Sequence, residues 1–158
     1  MCVGIDPGSD ALGYAVVLSE RSNLRVVDFG SIAVRSIPWE QRLNVLYEGV
    51  KDVVIGAKPD LMGVERLFFN KNVKTAIKVA EVRGVILLVA AQHGLSVVEL
   101  NPIEVKMALT GYGRARKEQV REMVKRILGI HETLPFDVSD ALAVAVGALR
   151  KVESRFNV

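Results

Sequence analysis

Met1-Cys2-Val3-Gly4-Ile5-Asp6-Pro7-Gly8-Ser9 opens the chain with an apolar run that ends on an acid and a Pro-Gly turn. Residues 1–6 read as a strand and 7–10 as the turn after it. Gly13-Tyr14-Ala15-Val16-Val17-Leu18 reads as a second strand. Residues 25–34 read as a third, after the polar loop Glu20-Arg21-Ser22-Asn23. Short turns between them predict an antiparallel meander. From Pro38 the period changes, and Leu43, Leu46, Val50, Val53 and Ala57 mark one stripe of a helix running to about residue 56. Residues 61–67 are nearly all apolar, as buried parallel strands are.

The rest of the chain alternates in the same way. A long helix is expected over 72–92, closed by His93-Gly94, with His93 near the negative end of the helix dipole. Residues 96–100 read as a fifth strand and 102–109 as a short helix. Thr110-Gly111-Tyr112-Gly113 is a loop, 117–128 a helix with Val120, Val124, Ile127 and Leu128 inward, and 138–151 the last helix. The order predicts an α/β fold, a mixed five-stranded sheet flanked by helices. One domain is expected over 1–151, with a flexible tail at 152–158.

Composition narrows the classes. Half of the 158 residues are hydrophobic, enough for a core without staples. The single cysteine, Cys2, cannot form an internal disulfide and reads as a buried thiol, so nothing points to an oxidising compartment. No signal-peptide pattern is present, and no apolar run reaches the roughly 18 residues of a membrane span. A cytoplasmic protein is expected. The net charge of +3 is a mild excess, so placement says more. Lys71, Lys74 and Lys78 recur at helical spacing, and Arg114, Arg116 and Lys117 crowd a glycine-containing loop. Either set would suit a polyanion; either could equally be a solvated face.

Four acids stand in apolar surroundings: Asp6, Glu65, Asp137 and Asp140. Glu65 lies within Leu61-Met62-Gly63-Val64-Glu65-Arg66-Leu67-Phe68-Phe69. Asp137 and Asp140 precede Ala141-Leu142-Ala143-Val144-Ala145-Val146. Carboxylates enter such places rarely unless paired or holding a metal. Asp137 at i and Asp140 at i+3 share a face of a first helical turn, where the dipole favours their ionised form. Asp6 could instead open a turn and Asp137 cap a helix. Glu65 is harder to explain that way, and the neighbouring Arg66 would point to the opposite face of a strand. Mg²⁺ takes oxygen ligands, and two ions can hold attacking and leaving oxygens in line across a phosphodiester. Four carboxylates suffice for two Mg²⁺ ions per subunit, with Mn²⁺ expected to substitute. The two histidines lack zinc-ligand spacing, and the glycines form neither a Walker loop nor a dinucleotide fingerprint.

The long helix carries a second pattern. Val73, Ile77, Ala80, Gly84, Leu87 and Ala91 follow 4-3-4-3-4 spacing, while Val79, Val82, Ile86 and Val89 lie on other faces. This predicts either a helix wholly buried in one subunit or a homodimer built around Val73, Ile77, Ala80, Gly84 and Leu87.

Taken in order, Gly4-Ile5-Asp6-Pro7-Gly8-Ser9, Gly13-Tyr14, Glu65 with Phe68 and Lys71-Asn72, Arg83-Gly84-Val85, Val105-Lys106, Lys117 and Asp137-Val138-Ser139-Asp140-Ala141-Leu142-Ala143 resemble the RuvC family of crossover junction endodeoxyribonucleases. The likeness spans about residues 3–150. It implies a ribonuclease H-like fold and a homodimer that resolves Holliday junctions by symmetric, metal-dependent nicking of two opposing strands, acting with the RuvA–RuvB branch-migration complex. The family's acids fall on Asp6, Glu65, Asp137 and Asp140, its base-contacting aromatic on Phe68, and its DNA-contacting lysines on Lys106 and Lys117. Phe69 adds a second aromatic, and Arg66 stands where the family carries glutamine. Three other readings remain open from the residues: a ribonuclease H-like nuclease for RNA–DNA hybrids or other branched nucleic acid, an actin-like or sugar-kinase-like ATPase, for which one domain is too little, and a non-catalytic DNA-binding module.

Overall fold

The computed structural model describes residues 1–21, 23–66 and 73–156. The strands are β1 (Cys2–Asp6), β2 (Ala11–Glu20), β3 (Asn23–Ala33), β4 (Leu61–Glu65) and β5 (Ser96–Leu100). The helices are α1 (Trp39–Ala57), α2 (Val73–Gln92), α3 (Pro102–Thr110), α4 (Lys117–Leu128) and α5 (Phe136–Phe156). The sheet order is β3-β2-β1-β4-β5. β1–β2 and β2–β3 are antiparallel, whereas β1–β4 and β4–β5 are parallel. This is the expected mixed sheet of five strands. Its hairpin strands run longer than expected, because the pairing of β2 with β3 continues out to Glu20 and Asn23 and leaves almost no loop.

Strand alternation divides the core in two. Val3, Ile5, Met62 and Val64 face one way and pack with Leu46, Val50 and Val54 of α1 and Val82, Ile86 and Val89 of α2. Cys2 faces the other way, with Val98 and Leu100 of β5 and the apolar face of α5 from Ala141 to Leu149. Burial pushes the Cys2 thiol up to about 12, so it stays protonated and apolar in character.

Two glycines let α5 lie close on the sheet. A Cβ on Gly4 would come within 2.2 Å of the Ala141 carbonyl oxygen, and one on Gly13 within 2.1 Å of that of Asp137. The start of α5 is therefore pressed onto β1 and β2 beside Asp6. Helix ends follow local chemistry. Asn101 caps α3 in a reciprocal box with Glu104, with Pro102 at the first helical position. Gly94 after α2 and Gly129 after α4 take positive φ, at 66° and 67°. His93 Nδ1 lies 2.9 Å from the Val89 carbonyl oxygen, at the α2 C-terminus as expected.

Three boundaries are corrected. The fourth strand ends at Glu65, short of residue 67. The last helix begins at Phe136, so Asp137 lies inside its first turn and is not a cap. Residues 152–156, expected as tail, continue α5 because Val152 packs on the core and the Glu153 carboxylate accepts from Ser19 Oγ at 2.6 Å. None of the described helices is long and apolar enough to cross a membrane.

Candidate active site

Asp6 and Glu65 end parallel neighbours whose register pairs Ile5 with Val64. Period two turns Asp6, Gly4 and Cys2 toward α5, and does the same for Glu65 and Gly63. Asp140, the fifth residue of α5, meets them in the same cleft. Asp6, Glu65 and Asp140 line one open cleft of about 410 Å³, together with Lys106 of α3 and Lys117 of α4. The apolar wall comes from Val105, Val120, Ala143 and Val144.

The acids feel one another. Burial first, then the charges of Asp140, Glu65 and Asp137, push Asp6 up to about 7, against the opposing pull of Lys117. Burial and Asp140 raise Glu65, while Lys117 and Lys106 hold it down. Burial also raises Asp140, with Lys117 opposing and Asp137 adding. Lys117 Nζ stands 2.8 Å from an Asp140 carboxylate oxygen. Burial works against its ammonium, but Asp140, Asp6 and Glu65 outweigh that and raise its pKa. The cleft thus sets three acids against two lysines, and Lys117 does not offset the cost of ionising Asp6.

Asp137 is set apart. It does not line the cleft, and its carboxylate accepts from Ser31 Oγ of β3 at 2.5 Å. Ser31 lies 106 residues away in sequence, and nothing local to either residue announces the pair. Among the described residues, no three acidic, His or Cys side chains are set as the shell of an ion, because Asp140 is turned to Lys117 and Asp137 to Ser31. The donor set fits a hard divalent cation nonetheless. It is all carboxylate, and burial together with the neighbouring acids pushes its central member, Asp6, up to about 7, a cost that a cation would relieve.

The basic residues separate into groups. Lys106 and Lys117 belong to the cleft. Lys74 and Lys78 line a second groove of about 540 Å³ with Ser9, Asp10 and Trp39, where Lys78 Nζ sits 5.1 Å from the Trp39 ring centre. Arg114 and Arg116 are exposed in the loop that leads into α4. Phe68, Phe69 and Lys71 lie outside the described residues. Arg66 turns away from Glu65, as expected, and pairs with Glu99 at 3.2 Å. Two residues that sequence reasoning missed stand beside the acids: Ser31, and Phe136, whose ring lies 4.8 Å from Lys117 Nζ.

On α2, Val73 and Ile77 are exposed, at 69% and 52%, and Gly84 is exposed too. The wholly buried helix is thereby excluded. Leu87, however, packs inward, and Leu88 takes the outward place. A straight helix has 3.6 residues per turn, so a 4-3 repeat drifts about 20° per heptad, and Leu87, its fifth member, has left the exposed stripe.

A mixed sheet of this order, with acids at the ends of its two central strands and on the helix laid across them, defines a ribonuclease H-like nuclease. The family of crossover junction endodeoxyribonuclease RuvC matches residues 2–148. The chain belongs to the RuvC family. It is 47% identical over 150 residues to the crossover junction endodeoxyribonuclease RuvC of Moorella thermoacetica, covering 92% of this chain and 89% of that one. To that of Halothermothrix orenii it is 45% identical over 146 residues, covering 91% and 88%. Thermus thermophilus RuvC in complex with Holliday junction substrate superposes with a TM-score of 0.91 at 32% identity, over 98% of this chain and 95% of that one. The yeast mitochondrial Holliday junction resolvase Ydc2 shares the fold at 14% identity, with a TM-score of 0.67 over 98% of this chain and 82% of that one.

Proposed function

We propose that this endonuclease resolves Holliday junctions by nicking two opposing strands symmetrically, in DNA recombination and repair. The observation that carries the reading is the convergence of Asp6, Glu65 and Asp140 on one cleft with Lys106 and Lys117, in a chain of the RuvC family. Asp6, Glu65, Asp137 and Asp140 are the residues that would hold Mg²⁺, two ions per subunit, with Mn²⁺ as a substitute. The bound metal would supply a hydroxide-like water and charge stabilisation for in-line attack on a phosphodiester. Asp6 would give up its proton on loading. Lys117 would leave Asp140 for the scissile phosphate, and Lys106 would hold the strand across the cleft. Products would carry a 5′-phosphate and a 3′-hydroxyl.

The exposed stripe of α2, with Val73, Ile77 and Gly84, supports a homodimer through that helix. A two-fold dimer suits a nearly two-fold junction, since each subunit then meets one strand. Phe68 and Phe69 would meet bases, and Lys71, Lys74, Lys78, Arg114 and Arg116 would contact backbone phosphate. The RuvA–RuvB complex would be the partner, acting in the cytoplasm. The test is cleavage of a four-way junction labelled on each strand, with linear duplex and an RNA–DNA hybrid beside it. Paired, metal-dependent nicks confined to the junction support the reading. Cutting of the hybrid would keep the nuclease and discard the junction.

A further inference from the structure

Phe136 opens α5 beside Asp137, and 37% of it is exposed. Two cations of α4 lie over its ring: Lys117 Nζ at 4.8 Å and the Arg121 guanidinium carbon at 4.3 Å from the centroid. Lys117 and Arg121 are four residues apart, so they share a helix face about 6 Å apart along the axis. Like charges at this spacing repel. The negative faces of the aromatic ring offset that repulsion and hold both cations against Phe136. Lys117 lines the cleft and is tied to Asp140, whereas Arg121 lies outside the cleft lining. Phe136 therefore joins a cation at the acids, Lys117, to one just outside the cleft lining, Arg121. A guanidinium presents a planar fork of donors suited to phosphate oxygens.

We propose that Phe136 is a positioning residue that sets Lys117 and Arg121 as a two-pronged phosphate clamp, with Arg121 gripping a phosphate beside the one that is cut. The proposal rests on the nuclease reading above and adds to it a phosphate contact, Arg121, and an aromatic that aims it. Phe136 acts through the two cations and does not touch the reacting atoms.

The experiment is junction binding by the full chain in EDTA, across a series of salt concentrations, with thermal melts to verify folding. Arg121→Gln should lower the slope of log affinity against log salt by about one unit, as loss of one phosphate contact does. Phe136→Leu keeps an apolar side chain but removes the π face, and should weaken binding about two- to fivefold. Phe136→Tyr should restore it. In cleavage, Phe136→Leu should raise KM, and in the Arg121→Gln background only the part of its effect that acts through Lys117 should remain. An unchanged salt slope in Arg121→Gln would overturn the clamp, as would Leu and Tyr variants that bind alike. The same slope is read on linear duplex, so a parent protein without preference for the junction would overturn the junction reading while the clamp is still decided by Arg121.

Discussion

Asp6 shows how a single residue links stability to function. Its folded pKa of about 7 lies above the ordinary 3.8. Below about pH 4 both folded and unfolded forms hold the proton, and no cost arises. Between pH 4 and 7 the unfolded chain ionises first, so metal-free stability falls as pH rises; above 7 the full cost remains. Asp6→Asn should therefore stabilise the metal-free protein by about 1–3 kcal/mol at pH 8 and change little at pH 4. Urea melts in EDTA at the two pH values measure this. The same variant should abolish cutting yet retain junction binding, read by gel shift. Equal stability of parent and variant at pH 8 would mean that Asp6 is not buried among like charges.

At the scale of elements, the seating of α5 on the sheet decides whether the acids meet. The close approach depends on Gly4, where a side chain would collide with the α5 backbone at Ala141. A backbone atom cannot swing aside as a flexible side chain does. Gly4→Ala should cost about 3 kcal/mol, at the upper end for overpacking, and should disturb the cleft by lifting the start of α5. Denaturant melts and the loss of cleavage check both halves. Helix α2 makes the complementary point, since one side packs with Val82, Ile86 and Val89 while Val73 and Ile77 face outward. Ile77→Glu should leave the fold intact, because the side chain is already half exposed, and should shift the proposed homodimer to monomer in sedimentation equilibrium. Paired nicks should become single ones.

For the whole molecule, the cleft's surplus negative charge couples metal binding to the fold. A divalent cation that binds only the folded chain should raise its melting temperature. The rise should be larger at pH 8 than at pH 5, because at pH 5 the metal must displace a proton from Asp6. EDTA should reverse it, and Asp6→Asn should largely remove it. Differential scanning calorimetry with and without Mg²⁺ reads all three. A shift of equal size at both pH values would place the metal elsewhere.

Much of this was legible in the order of residues. Apolar runs and changes of period announce β1, β5 and α4 almost to the residue, because burial imposes a spacing on each element. Glu65 among Val64, Met62 and Leu61 was legible as a carboxylate out of place, since burial there is costly, and the structure sets it in the cleft with Asp6 and Asp140. Tertiary structure alone decided the rest. It bonded Asp137 to Ser31 from the far side of the chain and put Lys74 and Lys78 in a groove apart from the acids. It turned Leu88 outward in place of Leu87 and laid Phe136 under two cations. Each of these depends on which elements pack together and at what rotation. Local spacing carries the period of an element, but not the angle at which its neighbours arrive.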